Sequence, residues 1–167
     1  MDTLLLLIIG VFSRLVPHPA NMTAVGALAI FSGARLGMKK SVIITIAVMG
    51  ISDVILGFHS VMWATYGAMV LAVILGRYVS RSRSVVRIAG VTITSSVLFY
   101  LITNFAVWAA PGSMYAHTVS GLLDSYIMAL PFFRNSLMGD MFYTALFFGA
   151  HEWMLARKPT LKVISTS

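Results

Sequence analysis

The chain contains no cysteine. Disulfides, thiolate metal sites and cysteine nucleophiles are therefore excluded. Charge is scarce as well. Asp, Glu, Lys and Arg make up 10% of the residues, against about 25% in a soluble domain. Only five of the charged residues are acidic. Signature sequences of catalysis are missing too: there is no Gly-x-Ser-x-Gly, no His-Glu-x-x-His and no glycine-rich phosphate loop. Asp53, Arg134 and Asp140 could only be imagined as an intramembrane catalytic set, because no motif joins them. An enzyme is not expected.

Apolar residues take the place of charge. They form 59% of 167 residues, mean hydropathy is +0.91, and the excess runs along nearly the whole chain. This composition predicts an all-α integral membrane protein forming a single transmembrane domain over 1–167. Breaks in the apolar pattern give six spans, about 3–16, 24–36, 41–56, 61–79, 86–110 and 137–156. Several fall short of the roughly 20 residues of a simple span, which suits a compact bundle of short helices. The first run could pass for a signal-peptide core. It lacks a basic flank and a small-residue cleavage pattern, so it is read as a retained helix. The stretch 116–133 lies between Pro111 and Pro131. His117, Ser120 and Asp124 recur there at helical spacing, giving either a seventh span or an extra outer surface helix at about 116–130.

The basic residues choose between these. With six spans and both termini cytoplasmic, Arg35, Lys39, Lys40, Arg77, Arg81, Arg83, Arg87, Arg157, Lys158 and Lys162 lie inside. That is ten of the 12 Lys and Arg, as the positive-inside tendency requires. A seventh span would put the last three outside. The net charge of +7 is then a topology signal, and nucleic acid is not an expected partner.

This topology makes "PHPANMT", residues 17–23, the first outer loop, and other polar and aromatic residues gather at its level. His18 and Asn21 lie in the loop. Asp53 and His59 end the third span, Trp63 and Tyr66 open the fourth, and Arg134, Asn135 and Asp140 open the sixth. In the fifth, Ser96, Tyr100, Asn104 and Trp108 follow i+4 spacing and share one helix face. Together they describe a polar and aromatic cup open to the outside. Each has a plainer reading. Trp63, Trp108 and Tyr115 suit an interfacial belt, Asp53 an ion pair with Arg14 or Arg134, Asn104 a bond to a neighbouring helix. Asn135 suits the cap of the sixth helix, and His151 and Glu152 the opposite interface. Ala29, Gly33 and Gly37, spaced by four, allow close helix approach, either within the bundle or against a partner subunit.

The segments "RLVPHPANMTAVGALAIFSGARLG", "SDVILGFH", "LITNFAVW" and "LPFFRNSLMGDMFYTALFFG" resemble a family of small bacterial membrane proteins of the transport type. That family is related to the substrate-binding S components of energy-coupling factor (ECF) vitamin transporters. The resemblance covers about residues 10 to 150. It implies capture of a vitamin-like solute at the outer face of the bacterial cytoplasmic membrane, then toppling of the subunit within the lipid. It also implies either an ECF transmembrane subunit with ATPases as partners or solitary action. No cofactor is expected beyond the bound solute, for which cobalamin or another corrinoid is the first candidate. The solitary cobalamin type can use a cysteine near the outer end of the third helix to ligate cobalt. His59 holds a comparable place here, and imidazole is a competent ligand for cobalt. S components often carry a small-residue contact motif on the first helix; here the clearest one is on the second. A ligand-free scaffold subunit and an intramembrane enzyme are the competing readings.

Overall fold

The structure, a computed structural model, describes residues 3–157. Among these residues there are six helices and no strands: α1 Thr3–Leu15, α2 Val25–Arg35, α3 Met38–Leu56, α4 Met62–Arg77, α5 Val85–Ala109 and α6 Val119–Ala156. Pro17 and Pro19 follow the end of α1, where proline cannot continue a helix. Gly57 ends α3 at φ 98°, a conformation that favours glycine. Ser84 caps α5 by accepting from the Arg87 amide, and Thr118 caps α6 by accepting from Gly121.

The chain runs up and down, so successive helices alternate in direction. The ends of α1 and α3 meet the starts of α2 and α4. α6 lies antiparallel to α5, with Thr92 bonded to Thr144, Ser96 to Asp140, and Tyr100 to the Tyr126 carbonyl. α2 is the centre and touches each of the other five helices. Every residue from Val25 to Ala34 is buried. A helix that is apolar on all sides belongs in a core. Gly33 lies against the backbone of Val73 in α4, and Gly76 of α4 lies against the backbone of Ile30 in α2. A Cβ at either position would strike a carbonyl oxygen, so these two glycines set the α2–α4 spacing. Phe31 then packs on Phe147 and Phe148, with ring centroids 5.8 and 5.2 Å away.

Three expectations need correction. The segment 116–130 is not a separate surface helix. From Val119 it is the first part of α6, a continuous helix of 38 residues with Pro131 inside it. A proline removes one backbone donor without ending the helix when neighbouring elements hold both sides, and here Tyr126 and Phe133 both pack on Tyr100. Asn135 consequently lies within α6 and caps nothing. Lys39 and Lys40, expected in a loop, occupy the first turn of α3. Lys158 and Lys162, assigned to the inner side, lie outside the described residues.

One helix among the described residues, α5, is long and apolar enough to cross a membrane, while α1, α2 and α4 are apolar but shorter. Large apolar side chains also point away from the bundle on several helices: Phe12, Ile43, Val54, Ile93, Phe105, Ile127 and Phe142 are all exposed.

Candidate functional site

At the end where α1 and α3 finish, Arg14 turns its guanidinium onto α3. It lies 2.7 Å from Asp53 Oδ1 and donates to Ser52 Oγ at 2.6 Å and to the Met49 carbonyl at 3.3 Å. Tyr66 of α4 donates its hydroxyl to Asp53 Oδ2 at 2.8 Å. Asp53 is 1% exposed. Both its oxygens are thus occupied, which is what a buried carboxylate requires.

The loop between α1 and α2 is tied to α1 and to α6. The Ala24 amide donates to Ser13 Oγ at 3.0 Å. Asn135 reaches across from α6 and donates to the Ala20 carbonyl at 3.1 Å. Asn21 takes φ 65°, a left-handed turn that asparagine tolerates better than most residues. His18 Nδ1 lies 2.6 Å from the Val16 carbonyl, which only accepts, so this nitrogen carries the proton.

A second carboxyl group stands on α6. Asp140 accepts from Ser96 Oγ at 2.7 Å and has the Ala27 amide within hydrogen-bonding reach. Ala24 provides no side-chain cap for α2, so Asp140 serves that helix start from another element. Gly26 makes the approach possible, because a Cβ there would collide with the carboxyl group.

Between these two carboxyl groups lies a cavity of about 520 Å³. Of the residues expected to form a cup, His18, Asn21, His59, Tyr100, Asn104 and Asp140 line it. Asp53 and Tyr66 do not; they stand behind Arg14, which does. Trp63 is 69% exposed and is not part of the wall. Trp108 donates to the Ala116 carbonyl at 2.9 Å and packs on His117, closing the α5–α6 connection. Arg134 is exposed, and Asn135 holds the loop. Ala29 is buried in the core, Gly33 faces α4, and Gly37 has open space beside it.

The wall also includes residues outside that set: Arg14, Phe99, Phe132, Phe133 and Ser136. Phe132, Ser136 and Asp140 are four apart, so a continuous α6 puts them on one stripe. That spacing was the available signal. More than half of the lining residues carry a polar side chain, and several are committed already: Asn104 donates to the Tyr100 carbonyl at 2.8 Å and Thr103 to the Phe99 carbonyl at 2.8 Å. Among the described residues, no group of three or more His, Cys, Asp and Glu could hold a metal ion.

Fold and site together define a helical bundle with a pocket of mixed polar and apolar lining at one end. Residues 1–161 match the family of unknown function DUF6580, and the chain belongs to that family. No curated protein and no solved structure matches it.

Proposed function

We propose that this protein is a multi-pass protein of the bacterial cytoplasmic membrane that captures a small vitamin-like solute for uptake. In this reading its helical bundle sits in lipid with both termini cytoplasmic. The observation that carries the proposal is the cavity of about 520 Å³, at the end of the bundle remote from Arg35, Arg77, Arg83 and Arg157. Its volume falls within the range of small-molecule pockets, and its wall combines aromatic and aliphatic side chains with polar groups that could orient a solute. The exposed apolar side chains support immersion in lipid, and the basic residues at the opposite end support the orientation.

The subunit works in the manner of an ECF S component, either with a transmembrane partner and ATPases or alone. A solute of vitamin size fits the cavity whole. A corrinoid is bulkier and would enter only in part, its ring lying over the mouth where His59 stands.

Mass spectrometry and a visible spectrum of the protein, purified from its own membranes in mild detergent, test this. A stoichiometric small molecule is expected, lost from Asn104→Ala. A protein that carries nothing, and whose melting no vitamin alters, would mark a scaffold subunit instead.

A further inference from the structure

The described acidic residues do not share one fate. Asp53 is paired with Arg14, Glu152 with Arg35 and Arg83, and Asp124 is exposed. Asp140 is 6% exposed, and among the described residues no Lys, Arg or His forms an ion pair with it. A carboxyl group buried this deeply in an apolar bundle calls for a proton or a cation beside it. Ser96 donates to the carboxyl group, and the Ala27 amide at the start of α2 lies within reach of it. They use part of the carboxylate's acceptor capacity, roughly four lone-pair sites. The remainder faces the cavity, since Asp140 lines it.

The surrounding wall suits a positive charge on an apolar body. Ser136, one turn before Asp140 and also buried, adds a hydroxyl oxygen. Phe99, Tyr100 and Phe133 present aromatic rings to the same space, with Tyr100 and Phe133 in contact at 4.8 Å between centroids. Aromatic faces attract cations, and more strongly where water is excluded. Arg14 lines the cavity too, but Asp53 neutralises it. Among the described residues, Asp140 is the one acidic side chain in the wall.

We propose that the solute is a small organic cation, an amine or quaternary ammonium on an aromatic or apolar body, whose charged group docks at Asp140. This rests on the reading of the cavity as a solute site, and it narrows the class of solute.

Matched probes test it on the full-length protein in detergent. Tryptamine is compared with neutral tryptophol and anionic indole-3-acetate, and benzyltrimethylammonium with benzyl alcohol, by thermal shift and titration calorimetry. The cations should bind and the others should not. Asp140→Asn removes the charge and keeps one acceptor oxygen while turning the other into a donor amide, and it should bind the cations about tenfold more weakly or worse. Asp124→Asn, which removes an exposed carboxylate away from the cavity, should bind them like wild type. The wild-type comparison stands even if the Asp140 variant fails to fold. Equal binding of tryptophol and tryptamine, or a cation preference that survives Asp140→Asn, would overturn the proposal. If the neutral or anionic probe binds and Asn104→Ala removes it, the solute site stands without the cation. If no probe of any charge binds, both readings fall.

Discussion

Removing Arg14 should destabilise the protein far more than removing it together with its partner. Asp53 is 1% exposed and holds Arg14 at 2.7 Å and Tyr66 at 2.8 Å. Arg14→Met leaves the carboxylate buried with the tyrosine alone. Losing one partner of a fully buried pair costs about 3–5 kcal/mol. Arg14 keeps 17% of its side-chain exposure, so partial screening lowers the expected cost to about 2–4 kcal/mol. For a chain of this size that corresponds to a fall in Tm of roughly 4–16 °C. Arg14→Met with Asp53→Leu removes both charges and fills both volumes with apolar atoms, and such replacements are often neutral. The double variant should therefore melt close to wild type. The assay is thermal unfolding in one detergent, followed by tryptophan fluorescence, for wild type, both single variants and the double. Effects of the two singles that add to within about 0.5 kcal/mol would show that the ion pair is not the coupled unit described.

Gly33→Val should disrupt folding outright, because its side chain meets the Val73 carbonyl, whereas Gly37→Val, with open space beside it, should express and melt like wild type. Cysteines placed at Ser60 and Ser113 should react with a membrane-impermeant thiol reagent in intact cells, and one at Ser82 should not; the reverse pattern would invert the topology. Asn104→Ala should weaken solute binding with little change in melting. Trp63→Ala should leave binding unchanged, because the indole stands outside the cavity. If a corrinoid co-purifies, His59→Ala should shift its cobalt absorption bands while His117→Ala should not, since His59 lines the cavity and His117 packs on Trp108.

The helix ends were legible because this chain punctuates with residues of fixed meaning. Pro17 and Pro19, Gly57, and Pro111 with Gly112 each fall in a break between helices. Pro131 was the exception. A proline that ends one helix and a proline held inside another look alike in sequence, and packing on Tyr100 decides between them. The level of a residue along the bundle was also easier to read than its direction. Trp63 and Asp140 were both assigned to the outer end, but Trp63 is exposed and Asp140 buried. Hydropathy hid the role of α2 for a similar reason: a helix enclosed by protein and a helix enclosed by lipid need the same apolar surface. Its 11 residues span about 16 Å at 1.5 Å per residue, against a hydrocarbon core of about 30 Å.

The two ends of the bundle are built differently, and the difference bears on how a solute would leave. Beyond the cavity the core is filled by Leu28, Phe31, Val48, Val73 and Phe147, each at most 1% exposed. Past that layer Arg35 ties the far end together. It donates to the carbonyls of Val79, Ser80 and Ser82, lies 3.5 Å from Glu152 and stacks over Phe148 at 5.0 Å from the ring centroid. Glu152 also holds Arg83 at 3.1 Å. A route between α2 and α4 would have to part the two backbones that Gly33 and Gly76 bring into contact. It would also have to strip Arg35 of these partners. Several buried interactions would break together, at a cost of the order of the whole stability of a domain, about 5–15 kcal/mol. The loop between α1 and α2 is held by far less, chiefly the single bonds from Ser13 and Asn135. On the transport reading, reorientation of the whole subunit in the membrane would deliver the solute inward with these contacts intact. A disulfide tying the α1–α2 loop to α6, through cysteines at Ala20 and Asn135, would test this. It should trap bound solute and stop uptake, while a crosslink confined to the Arg35 end should leave uptake intact. Uptake blocked by the crosslink at the Arg35 end would instead demand a path through the bundle.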